Sequence, residues 1–193
     1  MKKIAFIAGM LLSLSAFSQT TYPESSDLVF SKKNEVRIGA IRLLAGNSLD
    51  LGYERIIDRN QSFGANMLIG FGDNDFIGYT EQQFSISPYY RFYFNKSQEY
   101  GAKGMFVEGF ADFYSGRSYN FYNYTIDPYG NYYYYDRKEN YFDVAAGFAL
   151  GWKWVNTIGF VFEIKAGYGR NLIKENPDAA GVFRGDFSLG YRF

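Results

Sequence analysis

The sequence predicts an all-β protein: a closed, antiparallel, up-and-down transmembrane barrel of eight strands, with its apolar face to lipid and its polar lumen filled. Three observations carry this reading. From Asn34 onward, apolar and polar residues alternate with period two in about eight segments of strand length, separated by Gly, Asn, Asp and Lys. The polar faces are crowded with small residues while the apolar faces carry aromatic rings. The charges on the polar faces nearly balance. No stretch of helical period competes with this pattern.

In chain order, the first segment, from Asn34, is irregular, because Arg37 and Arg42 have opposite parity; a bulge near Ala40 and Ile41 would return both to the polar face. The second sets Leu49, Leu51, Tyr53 and Ile57 against Asp50, Gly52 and Glu54. The third sets Phe63, Ala65, Met67, Ile69 and Phe71 against Ser62, Gly64, Asn66, Leu68 and Gly70. The fourth sets Phe84, Ile86, Tyr90, Phe92 and Phe94 against Ser85, Ser87, Arg91 and Tyr93; Pro88 cannot donate to a ladder, so a local irregularity is expected there. The fifth opposes Met105, Val107, Ala111 and Phe113 to Glu108, Phe110, Asp112 and Tyr114. The sixth opposes Phe142, Val144, Ala146, Phe148, Leu150, Trp152 and Trp154 to Asp143, Ala145, Gly147, Ala149, Gly151 and Lys153. The seventh opposes Ile158, Phe160, Phe162, Ile164, Ala166 and Tyr168 to Gly159, Glu163, Lys165, Gly167 and Gly169. The eighth opposes Phe183, Phe187, Leu189, Tyr191 and Phe193 to Arg184, Asp186, Ser188, Gly190 and Arg192.

Alternation alone suits a barrel with either face inside, and volume decides between them. An eight-stranded barrel has an interior just wide enough for side chains to fill. The small residues of the polar face suit such a lumen, whereas the rings of the apolar face would not fit within it and suit lipid. Charge points the same way. A low-dielectric lumen needs each charge paired or hydrogen-bonded. The polar face sets Glu54, Glu108, Asp112, Asp143, Glu163 and Asp186 against Arg91, Lys153, Lys165, Arg184 and Arg192, with one or both of Arg37 and Arg42 added. These residues are expected to form a lumen charge network, closed further by Tyr89, Tyr93, Phe110 and Tyr114.

Ahead of the strands, Lys2 and Lys3, the apolar run from Ile4 to Leu14, and Ala16-Phe17-Ser18 before Gln19 have the form of a secretory signal peptide cut after Ser18. The run is shorter than the roughly 20 apolar residues a spanning helix needs, and no later stretch is continuously apolar at that length. Lys and Arg number 20, as do Asp and Glu; without residues 1–18 the balance is about −2. That composition, with no basic cluster, argues against a nucleic-acid partner. There is no cysteine, hence no disulfide and no Cys-linked lipid anchor. There is no histidine, which removes Ser-His-Asp and Cys-His mechanisms and the commonest zinc ligand sets. No catalytic residue, cofactor site or metal site is assigned; Asp73-Asn74-Asp75 offers oxygen ligands but reads as a turn.

The expected connections alternate in length, as in barrels with short periplasmic turns and longer extracellular loops. Residues 58–61, 95–104 and 155–157 would be the periplasmic turns, and 45–48, about 73–83, 116–140 and 171–181 the external loops. With the segments SLDLGYERII, ISPYYRFYF and a closing FSLGYRF, the chain resembles the small single-domain outer-membrane β-barrel proteins of the OmpA transmembrane-domain and OmpX type. The resemblance covers residues 34–193 and leaves 1–18 as signal peptide and 19–33 as an N-terminal periplasmic segment. It implies a cell outer membrane of Gram-negative type with both termini periplasmic. The alternating Phe187, Leu189, Tyr191 and terminal Phe193 look like the signal read by the outer-membrane insertion machinery, with Ser188 and Gly190 departing from the usual form.

Fold and location outrun activity in such a family. Outer-membrane enzymes generally depend on histidine, and an Asp112 and Glu108 pair reads more simply as salt-bridge partners. A constitutive pore conflicts with a filled lumen. The leading expectation is a non-enzymatic structural or surface-binding, adhesin-like barrel whose partners are outer-membrane lipid, the insertion machinery, and an extracellular glycan or protein. Contact is expected at the longest loop, where residues 119–126 and 131–136 would extend the fifth and sixth strands around a turn at Asp127-Pro128-Tyr129-Gly130-Asn131. That hairpin would present Tyr129, Tyr132, Tyr133, Tyr134 and Tyr135, whose rings offer large amphipathic area at low entropic cost. Cross-strand pairing of the same rings, stiffening the hairpin, is the plainer alternative.

Overall fold

The structure, a computed structural model, describes residues 31–45, 48–71, 80–94, 101–120, 124–134, 137–173 and 181–193. The signal-peptide assignment, nearly all of 19–33, Asp73-Asn74-Asp75 and Tyr135 lie outside them. The strands are β1 (Asn34–Gly39), β2 (Ser48–Ile56), β3 (Gln61–Gly70), β4 (Thr80–Tyr93) and β5 (Gly104–Asn120), then β6 (Tyr124–Ile126), β7 (Tyr132–Tyr134), β8 (Arg137–Val155), β9 (Phe160–Asn171) and β10 (Gly181–Arg192). One short helix, α1 (Ala40–Ala45), follows β1. No helix among the described residues is long and apolar enough to cross a membrane.

Eight strands close into one antiparallel barrel in the order β1-β10-β9-β8-β5-β4-β3-β2, while β6 and β7 pair separately. Apart from the closure of β1 on β10, each barrel strand lies beside its chain neighbours, which makes the barrel up-and-down. Closure runs from Glu35↔Arg192 to Gly39↔Ser188. The β5/β8 ladder is far longer, from Gly104↔Lys153 to Asn120↔Arg137. Closure leaves no bare sheet edge over the paired length, the solution open sheets lack.

Period two decides the faces. Along β9 and β10 the side chains alternate between exposed and enclosed; the enclosed set is polar apart from Val161 and Val182 and small Gly169, and Arg170 is the one charge left outside. Phe63, Phe84, Tyr90, Phe92, Phe113, Phe142, Phe148, Trp152, Trp154, Phe160, Phe183, Tyr191 and Phe193 all stand exposed on the outer wall. The aromatic face is therefore outside and the small and charged face inside, as volume required.

Three local expectations differ. Instead of a bulge at Ala40 and Ile41, β1 stops at Gly39 and α1 takes over. A straight strand would aim Arg42 outward and Ile41 and Leu43 into the polar lumen. The helical turn reverses this: Ile41, Leu43 and Leu44 are exposed, while half-buried Arg42 donates to Gln82 Oε1 at 3.5 Å. The first external connection is thus α1 and the step into Ser48, rather than a bare loop at 45–48. In β4 the register does not shift at Pro88; pairing with β5 passes from Ile86↔Phe113 to Tyr89↔Phe110 in one frame, and the shift falls between Gln82 and Phe84. A missing donor costs a rung without adding a residue, so the frame survives.

Ahead of β5, the described residues 101–103 fold inward. Gly101 and Ala102 are buried, with Ala102 N donating to the Arg59 carbonyl at 2.8 Å. Ala102 adopts a positive φ of 43°, and its methyl packs with Ile56, Tyr93 and Phe106 to close that end of the lumen. At the β8/β9 turn, Asn156 Oδ1 accepts from Ile158 N at 3.1 Å and Phe160 N at 2.7 Å, and Gly159 takes φ +98°, which a side chain would strain.

Candidate functional site

Two places concentrate chemistry: the lumen and the tip of the β6/β7 hairpin. In the lumen, inward positions on consecutive strands meet because every strand points one residue in two at the axis. Next to the Gly101-Ala102 plug, Arg192 Nε donates to Glu35 Oε1 at 2.7 Å, and its Nη1 and Nη2 donate to the carbonyls of Gly101 and Ala102, each at 3.0 Å. Lys153 Nζ bridges Glu35 Oε2 and Glu54 Oε1, both at 2.7 Å, and the Tyr93 hydroxyl donates to the same Glu54 oxygen at 2.7 Å.

Arg91 is the centre of the layer above. Its Nη1 lies 2.7 Å from Glu54 Oε2 and 2.7 Å from Glu163 Oε2, its Nη2 2.9 Å from Glu163 Oε1, and its Nε 2.7 Å from Glu108 Oε2. Its guanidinium lies 4.5 Å from the Tyr89 ring centroid and 4.3 Å from that of Phe106. Arg37 bonds Glu163 and the Tyr89 hydroxyl and sits 2.9 Å from Glu54. Glu35, Glu54, Glu108, Glu163, Arg91, Lys153 and Arg192 are wholly enclosed and Arg37 is 3% exposed, so four carboxylates face four cations with almost no solvent contact. Such a set persists because every member is compensated; removing one leaves another buried and unpaired.

Toward the other end, Lys165 Nζ lies 4.0 Å from Glu108 Oε2, and Arg184 Nη1 lies 3.4 Å from Glu108 Oε1 with its guanidinium 4.4 Å from the Phe110 ring. Among the described residues, the three aspartates predicted for the network take hydrogen bonds and no ion pair. Asp112 accepts from Ser87 Oγ at 2.6 Å, and Asp143 from Asn171 Nδ2 at 3.3 Å. Asp186 accepts from Ile41 N at 3.3 Å and Phe187 N at 2.8 Å. Space among Arg42, Asp50, Asn66, Asp112 and Arg184 amounts to about 20 Å³, room for nothing larger than a water. Tyr89, Phe110, Tyr114 and Tyr141 pack into one cluster that fills the rest of this section.

Sequence reasoning passed over Glu35, Phe106 and the Gly101-Ala102 plug, and left Arg37 undecided. Parity along Asn34-Glu35-Val36-Arg37 held the signal for the first strand, since Glu35 shares the face of Arg37. Nothing local marks 101–102 as an inward fold, which depends on Arg59 and Arg192, both remote in sequence.

At the hairpin tip, Asp127 organises the turn. Its Oδ1 accepts from Tyr129 N at 2.8 Å and Asn131 N at 2.9 Å, its Oδ2 from Asn131 Nδ2 at 2.9 Å, and its carbonyl from Gly130 N at 3.0 Å. Gly130 supplies the φ of +86° that the turn demands. Tyr129 is 90% exposed and Tyr132 61%. Tyr133 and Tyr134 lie on β7, in register with Thr125 and Tyr124. Tyr132, Tyr133 and Tyr134 thus lie on the β6/β7 pair, beyond Asn120↔Arg137 at the end of the β5/β8 ladder; residues 121–123 and 135–136 between them lie outside the described residues.

In the last strand, the Phe187 ring packs edge-on to Phe162 with centroids 4.3 Å apart, and Tyr191 edge-on to Phe160 at 6.3 Å. Leu189 and Phe193 are exposed on the outer wall. Phe193 N donates to the Asn34 carbonyl at 2.8 Å and the Phe193 carbonyl accepts from Asn34 N at 3.1 Å, tying the last strand to the first.

No family model matches the chain, and no curated protein matches it either. Among solved structures it is similar to the N-terminal β-barrel domain of Pseudomonas aeruginosa OprF, with a TM-score of 0.53 and 11% identity over 84% of this chain and 98% of that one. At that identity the likeness speaks to fold alone: the chain is a closed eight-stranded up-and-down barrel.

Proposed function

We propose that the chain is an integral outer-membrane β-barrel, held in lipid by its aromatic wall, with both termini periplasmic and a non-enzymatic structural or surface-binding role. The observation that supports this best is the inversion of polarity: exposed Phe, Tyr, Trp, Ile and Leu outside, and a compensated set of ionised side chains within. A water-soluble fold would place these the other way round. In this orientation the Gly101-Ala102 plug faces the periplasm and the Tyr-rich hairpin faces outward. Trp152 and Trp154, with rings 6.1 Å apart, would lie near the periplasmic interface. Folding the purified chain into vesicles carrying brominated lipids tests this: strong quenching of both tryptophans supports membrane insertion, and unquenched emission from folded protein refutes it.

The finer reading makes the hairpin a contact surface for an extracellular glycan or protein. Its support is Tyr129, held out on a turn that Asp127 has already ordered, so little entropy remains to be lost on binding. Replacing Tyr132 to Tyr135 by Ser should abolish surface adhesion with the barrel intact; unchanged adhesion would leave the rings a structural role.

A further inference from the structure

We propose that the outer wall carries a lipid site: a groove that seats one acyl chain of a lipid whose anionic phosphate headgroup is held by Arg170. The proposal rests on the membrane reading above. A shallow, wide-mouthed groove of about 690 Å³ runs across β4, β5, β8 and β9. Register explains its shape. One outward row reads Tyr90↔Gly109↔Phe148↔Tyr168, and the row beside it reads Ala111↔Ala146↔Arg170. Gly109, Ala111 and Ala146 therefore form a low floor between ring walls. The Phe148 ring leans over Gly109, 3.7 Å from where a Cβ would stand.

Arg170 supplies the second observation. It is exposed, one residue from the outer end of β9, and lines the groove. Its cross-strand neighbours are Ala146 and Gly181, so neither can compensate its charge. No hydrogen bond or ion pair reaches it from the described residues, in contrast to the enclosed cations of the lumen. A guanidinium beside hydrocarbon extends its stem along apolar surface and puts its head at the polar boundary. The anion that a bilayer offers there is the phosphate of a lipid, which Arg can bind through two parallel N–H donors. The chain below that phosphate then has a trough of matching polarity to lie in.

The test uses the folded full barrel in nanodiscs of phosphatidylcholine doped with phosphatidylglycerol, with lipids retained after gentle release read by native mass spectrometry. Retention of phosphatidylglycerol over phosphatidylcholine by about fivefold is expected, the size of effect one interfacial cation has on an anionic lipid. Arg170→Gln should erase the preference and Arg170→Lys should keep most of it. Ala111→Phe, which fills the trough from outside the barrel, should lower retention of both lipids. Heat-modifiable migration on gels confirms that each variant is folded. Equal retention of the two lipids by the wild-type barrel, or a preference that survives Arg170→Gln, overturns the lipid site and leaves the membrane reading standing. Failure of the wild-type chain to enter any bilayer overturns both.

Discussion

Arg91 shows how a charge survives inside a barrel. Three glutamates, two rings and no solvent surround it, so its worth lies less in attraction gained than in the repulsion that its loss would release. Arg91→Met should cost roughly 3–5 kcal/mol, because Glu54, Glu108 and Glu163 would keep their charges with one cation fewer. Equilibrium unfolding in urea from lipid vesicles measures it. The double variant with Glu163→Gln should recover part of the loss, and a strictly additive pair would show that the two residues do not act together. On the outer wall the same logic runs in reverse. Phe193 ends the last strand at the outer wall, and Phe193→Asp should impair outer-membrane insertion while leaving export across the inner membrane unaffected; normal yields in outer-membrane fractions would count against its role as a signal.

Among the elements, strands and their faces were legible because the contrast between alternate positions is steep: Phe160-Val161-Phe162-Glu163-Ile164-Lys165 permits little other than a two-sided sheet. Parity sorted most of the lumen residues onto one face, and volume and charge placed that face inside; Glu35 and Phe106 were missed. Where the reading fell short, the deciding partner was distant in sequence. Helix α1 has no acidic residue in its first turn to announce it; a strand there would turn Arg42 to the aromatic outer face and Ile41 and Leu43 into the polar lumen. Likewise, Ala102 accepts a positive φ since Arg192 binds its carbonyl and the one before it. The hairpin was legible in its turn, marked by Asp127, Pro128 and Gly130. Replacing Tyr132 to Tyr135 by Ser should leave barrel stability almost untouched, since each cross-strand pair contributes on the order of 0.2–1 kcal/mol and β6 and β7 pair outside the closed sheet. A matched loss in thermal stability of the whole barrel would show the hairpin to be part of it.

For the whole molecule, the enclosed layers from Arg192 to Tyr114 leave no continuous aqueous path, so planar bilayers containing the purified protein should remain electrically quiet; steady ion-permeable channels would refute the filled lumen. The closing pair Glu35↔Arg192 joins almost opposite ends of the described chain. Arg192 also supplies a lumen cation and the bonds that hold the Gly101-Ala102 plug. Until β10 has been synthesised, then, β1 and β9 each lack a neighbour, Glu35 lacks its cation, and one end of the lumen stands open. No shorter run of the chain is a smaller version of the finished object. A chain that has not yet been extended past Gly181 therefore has no closed sheet to fold into.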